Sequence, residues 1–179
     1  NMELKEKTGA KVVSSKHEED KIPGIDISLS DGDTWALGQH KAKIIHTPGH
    51  TLGHICFWFE EREAIFTGDT LFNMGCGRVF EGTHEEMFDS MQKLFDLPDE
   101  THVYCGHEYT LTNAKFALEV DTGNEPLEER FALINQWRTA GQPTIPSTIK
   151  DEKQFNPYLK AITLQFFTTV RTAKDNFRG

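Results

Sequence analysis

A chain of 179 residues with 37% hydrophobic side chains suffices for one domain, or for part of one followed by a small second one, and can fill a core. Its formal charge of -9 excludes general nucleic-acid binding, which needs clustered Lys and Arg over a basic face. No apolar run approaches the roughly 18 to 20 residues of a membrane span. The opening Asn1-Met2-Glu3-Leu4-Lys5 is too polar for a secretion signal, so no membrane partner is expected and a cytoplasmic location is the default, with an organelle matrix also open. Cys56, Cys76 and Cys105 are odd in number and lack a C-x-x-C pair, which points to reduced thiols.

In chain order, Met2 to Thr8 reads as a helix stopped by Gly9, and Lys11 to Ser14 as a short strand. The turns at Asp31-Gly32-Asp33 and Gly38-Gln39 place strands at Thr34 to Leu37 and His40 to His46. Ile55 to Phe59 and Ala64 to Thr67, apolar runs around a charged turn, read as buried strands. Thr83 with Glu86 forms a capping box, and Met87, Met91, Leu94 and Phe95 follow at helical spacing until Pro98. After a strand at Thr101 to Cys105 the pattern turns helical: Leu111 to Val120, then Leu127 to Ala140 between Asn124 and Gly141, then a stretch begun by Asn156-Pro157 and running to about Lys174. Strands followed by helices give an α+β class with a boundary near Tyr109, hence segments 1–108 and 109–179. From Lys150 onward six bases stand against three acids, a local reversal of charge that by itself reads as a solvated helix.

Three stretches place a His or Asp at a glycine-flanked turn just beyond a strand. They are Thr47-Pro48-Gly49-His50-Thr51-Leu52-Gly53-His54, Thr67-Gly68-Asp69-Thr70-Leu71-Phe72 and Tyr104-Cys105-Gly106-His107-Glu108-Tyr109. Glycine permits a tight turn and a close ligand, while imidazole and carboxylate are donors suited to zinc, iron or manganese. Each stretch taken singly is an ordinary hydrogen-bonded loop. In this order they resemble the metallo-β-lactamase superfamily. On that resemblance His50 binds one metal, His107 a second, and Asp69 bridges them as the catalytic-site carboxylate, while His54 looks like a supporting residue.

Gly68 to Phe72 running into Gly75-Cys76-Gly77-Arg78-Val79-Phe80-Glu81-Gly82-Thr83, with Gly106-His107-Glu108-Tyr109 and the later Asn156-Pro157-Tyr158, narrows the resemblance to glyoxalase II, the hydroxyacylglutathione hydrolases. It covers essentially the whole chain. It implies a metallo-β-lactamase-type αββα sandwich with a small helical C-terminal domain. It also implies hydrolysis of S-(2-hydroxyacyl)glutathione thioesters to glutathione and a 2-hydroxy acid such as D-lactate, by a hydroxide that a pair of metals activates. The thiol carrier's binding residues fall on Arg78, Phe80, Tyr109, Arg171 and Lys174. The last two stand three apart on one helical face, as a clamp for an anion requires. Arg78 stands where the family often has Lys, and Phe80 where it often has Tyr, which removes one hydroxyl donor.

The superfamily's T-H-x-H-x-D-H stretch is not in this sequence. The expectation is therefore a partial sandwich whose N-terminal part is missing, holding at most one metal in a two-His, one-carboxylate arrangement and inactive by itself. An uncovered sheet edge and apolar face are expected, available to another chain. Two other readings stand beside this one: a shortened, non-enzymatic homologue that binds a glutathione-like thiol or a protein, and a persulfide dioxygenase with a single iron, against which the helical tail with Arg171 and Lys174 counts.

Overall fold

The computed structural model describes residues 1–179. Helix α1 (Met2–Thr8) ends where Gly9 turns left-handed (φ 69°) and returns its N–H to the Lys5 carbonyl. Strand β1 (Val12–Ser15) pairs in parallel with β2 (Ile25–Leu29), a strand absent from the expectations although Ile25, Ile27 and Leu29 alternate as a strand should. Four antiparallel strands follow, namely β3 (Thr34–Leu37), β4 (His40–His46), β5 (Ile55–Phe59) and β6 (Ala64–Gly68). A small hairpin, β7 (Leu71–Phe72) and β8 (Gly75–Cys76), leads to helix α2 (His84–Phe95).

The α2 crossover returns the chain to β9 (His102–Cys105), which lies parallel to β6. Helices α3 (Thr110–Val120) and α4 (Glu125–Thr139) come next, and β10 (Ser147–Thr148) then closes a six-stranded sheet of order β10-β9-β6-β5-β4-β3. Helices α5 (Ile149–Phe155) and α6 (Leu164–Asn176) complete the chain. No helix is long and apolar enough to cross a membrane.

The capping box of α2 forms as expected: Thr83 Oγ1 accepts from Glu86 N at 3.1 Å, and Glu86 Oε2 accepts from Thr83 N at 2.7 Å. The helix buries Met87, Met91 and Leu94 against the sheet, in one core with Ile65 and Val103. Tyr158, Phe167 and Val170, from the helical end of the chain, belong to that same core. A second, smaller core joins Met74 to Ala114, Ala117, Leu127 and Ile134.

One boundary differs from expectation. Asn156 does not start a helix; it is the C-cap of α5, and the last helix begins eight residues later with Thr163 as its N-cap. The Asn156 side chain is fully buried, with its amide nitrogen directed to Gly75 O (3.0 Å), and its oxygen accepts from Tyr158 N (3.0 Å) as an N-cap does, but the turn it caps ends at Lys160 and is not continued as a helix.

Candidate active site

Strand β4 runs antiparallel to β5, β5 antiparallel to β6, and β6 parallel to β9. The C-terminal ends of β4, β6 and β9 therefore leave the sheet at one edge, and the three glycine-flanked turns meet there. His50 Nε2 lies 3.5 Å from Asp69 Oδ2, and His107 Nε2 lies 3.3 Å from Asp69 Oδ1. His50 Nδ1 is 2.9 Å from the Arg78 carbonyl oxygen, which can only accept. That contact assigns the ring proton to Nδ1 and leaves the Nε2 lone pair facing the carboxylate.

Asp69 is held from behind. Its N–H donates to His54 Nε2 (3.1 Å), so the His54 proton sits on Nδ1, 2.9 Å from both Thr47 Oγ1 and Thr70 Oγ1. Burial lowers the His54 pKa to about 4, with the neighbouring His50 acting in the same direction, so His54 is a neutral support. Two glycines are required by close approach. A side chain at Gly106 would begin 2.6 Å from Asp69 Oδ1, and one at Gly77 would overlap the Asp69 carbonyl oxygen.

From this point a cleft of about 640 Å³ opens. Phe80 packs on His50 at 5.1 Å between ring centres, and Tyr109 stacks on His107 at 4.9 Å. At the far wall stand Arg78, Arg171 and Lys174. Arg78 is exposed, with its Nε 3.7 Å from Asp175 Oδ1. Arg171 is only 3% exposed: it donates to Cys76 O (3.0 Å) and to Asp175 Oδ1 (2.9 Å), and it lies over the Tyr158 ring. Lys174 donates to Thr112 O (3.0 Å) between the Phe116 and Phe177 rings, and burial, helped by Arg171, lowers its pKa to about 8. The eight residues singled out in the sequence thus line one cleft, with the two histidines and the aspartate at one end and the bases at the other.

Comparison with known proteins decides the family. The family model described as Metallo-beta-lactamase superfamily matches residues 2–107, and that described as Hydroxyacylglutathione hydrolase C-terminus matches residues 108–177. The hydroxyacylglutathione hydrolase of Pelagibacter ubique is 50% identical over 177 residues, which are 99% of this chain and 74% of that protein. That of Maricaulis maris is 49% identical over 184 residues, covering 95% of this chain and 72% of that protein. This chain belongs to the hydroxyacylglutathione hydrolase family. Its fold is that of the metallo-β-lactamase superfamily: ETHE1 from Myxococcus xanthus superposes with a TM-score of 0.68 at 28% identity, over 96% of this chain and 61% of that one. The BLEG-1 B3 metallo-beta-lactamase shares the fold with a TM-score of 0.62 at 19% identity, over 89% of this chain and 69% of that one.

The superfamily binds divalent metal, and the donors present fit that group in kind. Two imidazole nitrogens with assigned or stacked rings address the two oxygens of one carboxylate. They do not fit it in number. No group of three His, Cys, Asp or Glu side chains closes on one point, because the histidines approach opposite oxygens of Asp69. Each imidazole thus stands beside one oxygen of Asp69, two protein donors at each position, below the three protein ligands of a catalytic zinc.

Sequence reasoning left His54 without a partner. The Thr in each flanking stretch, Thr47 and Thr70, was the signal for its hydrogen bonds.

Proposed function

We propose that this chain carries the thiol-carrier site and one carboxylate-bridged half of the metal site of an enzyme that hydrolyses S-(2-hydroxyacyl)glutathione thioesters to glutathione and a 2-hydroxy acid. One observation carries the reading. The Nε2 atoms of His50 and His107 face the two oxygens of Asp69 at one end of a cleft whose other end is basic. Glutathione is an anionic tripeptide with its sulfur in the middle. Carboxylates held at Arg78, Arg171 and Lys174 leave the thioester lying toward Asp69, which is the proximity that hydrolysis needs.

The chain's own part in the chemistry is orientation. His54 fixes the Asp69 backbone, the Arg78 carbonyl fixes the His50 tautomer, and Tyr109 braces the His107 ring. Phe80 and Tyr109, half or more exposed, offer an apolar wall to the carrier's backbone. A divalent ion, in this reading zinc, with iron and manganese as alternatives, would be held by His50 or by His107 together with the Asp69 oxygen each one faces, and would supply Lewis acidity toward the thioester carbonyl and a water of lowered pKa.

Two donors per position favour carrier binding over turnover by these 179 residues. The reading includes a cytoplasmic, reducing setting, supported by three free cysteines. It also includes a division into a sandwich part, 1–108, and a helical part, 109–179. A further polypeptide covers the apolar sheet face, a role supported by Leu37 at 61% and Phe66 at 48% exposure.

The test is titration of the 179-residue chain with glutathione by calorimetry, beside hydrolysis of S-D-lactoylglutathione with metal content measured on the same sample. Expected are glutathione binding that R78A weakens by about tenfold, as befits a charge-assisted contact, and little turnover. Turnover at enzymatic rates with about two metals per chain refutes the donor count, and no binding of glutathione refutes the carrier site.

A further inference from the structure

The hairpin β7–β8 connects the two ends of the cleft. Asp69 lies two residues before it and Arg78 two residues after it, Gly77 N donates to Thr70 O across its base (3.1 Å), and the Phe72 ring packs on Tyr109 and His107. Its tip, Asn73 and Met74, is not a solvent turn: both residues are 1% exposed. Met74 holds a left-handed backbone (φ 60°), a conformation for which glycine is the usual choice, and its side chain enters the small core of α3 and α4.

The side chain and carbonyl of Asn73 and the N–H of Met74 find their partners on the helical side of the chain, while the Asn73 backbone also meets the Cys105 thiol at the end of β9. Asn73 O accepts from Asn113 Nδ2 (3.1 Å), and Asn73 Nδ2 donates to Thr144 O (2.8 Å). Met74 N donates to Glu152 Oε2 (2.9 Å), an oxygen that also accepts from Asn156 Nδ2 (2.8 Å), and Asn156 Nδ2 reaches Gly75 O as well (3.0 Å). Glu152 is fully buried. An acid set in a core without a cation is costly to bury, and its hydrogen bond to the N–H of a left-handed residue ties the tip to α5.

We propose that Glu152 is a positioning residue for carrier binding, holding the Asn73–Met74 tip from α5 and so setting where Arg78 and Phe72 stand against the thiol carrier. This rests on the reading of the cleft as the carrier site. Two arrangements of the hairpin, seated and unseated, are the states that Glu152 biases.

The experiment compares the 179-residue chain with E152Q and E152M, each at a temperature where circular dichroism shows it folded. Glutathione affinity is read by calorimetry and Met74 amide exchange by NMR. In E152Q the amide oxygen still accepts from Met74 N and Asn156, and the glutathione Kd stays within about twofold of the parent. E152M fills the volume and offers no strong acceptor, so Kd rises by about tenfold and the Met74 amide exchanges faster. A folded E152M with the parental Kd overturns this inference alone. Failure of glutathione to bind the parent chain overturns the carrier reading and this inference with it. Should E152M not fold, the parent decides: glutathione slows exchange at Met74 beyond its effect on β5, and an equal effect on both overturns the proposal.

Discussion

The stability of the chain above neutral pH is set in part by Glu152, and Glu152→Gln exposes the effect. Burial moves its pKa from the ordinary 4.5 to about 7, opposed by hydrogen bonds from Ser147, Asn156 and Met74 and by no cation. Because the folded pKa is the higher one, the folded chain binds this proton more tightly than the unfolded chain between pH 4.5 and 7. Stability is accordingly lost as pH rises through that window. At about 1.4 kcal/mol per unit, the displacement amounts to roughly 3 kcal/mol. Glutamine retains the acceptor and carries no charge. E152Q is therefore expected to match the parent near pH 5 and to exceed it at pH 8.5 by up to roughly 3 kcal/mol, about 2–4 °C of Tm for each kcal/mol in a chain of this size. The assay is thermal and urea unfolding at half-unit steps from pH 5 to 8.5. A pH-independent offset, or an E152Q less stable than the parent at pH 8.5, refutes the reasoning.

Lys174 gives a second pH signature. With its pKa lowered to about 8 it loses its charge as pH rises through 8, and glutathione affinity falls with it; K174Q binds more weakly and flattens that fall, measured as the difference between the two proteins so that glutathione's own groups cancel. The depressed value also means that the unfolded chain binds this proton more tightly, so Lys174 costs stability below pH 8 and K174Q recovers it in an unfolding titration at pH 7. His54→Leu removes the acceptor of the Asp69 N–H and the partner of two buried hydroxyls, and a loss of about 1–3 kcal/mol is expected by urea unfolding. Thr83→Ala breaks the capping box of α2 and costs about 0.5–2 kcal/mol, read the same way.

What was legible in the sequence was periodic or motif-like. The α2 capping box, the strands from Thr34 to Phe59 and the three glycine-flanked turns each carry a local signal that tertiary packing obeys. His50, Asp69 and His107 stand out in the sequence because they follow strand ends, where side chains leave the sheet. The hairpin at Leu71–Cys76 was not found, since strands of two residues have no period and Met74 gives no hint of a left-handed backbone. Glu152, within Lys150-Asp151-Glu152-Lys153, reads as a solvated helix face, and only the fold shows the acid turned inward. Arg171 lines the cleft on the same helical face as Lys174, but at 3% exposure and bonded to Cys76 and Asp175, a depth its spacing does not reveal. Charge spacing along a helix says which face a base occupies and not how deep it lies.

The main core draws on both ends of the chain, Ile65 and Met91 on one side and Tyr158, Phe167 and Val170 on the other. Thermodynamically this makes the molecule one cooperative unit despite its division into strand-rich and helix-rich halves. The helical end is then not a cassette that can be exchanged to suit another thiol carrier, since removing it would take away the wall against which α2 and the sheet are packed. Adaptation to a different carrier must proceed by side-chain replacement around the cleft, with the backbone kept.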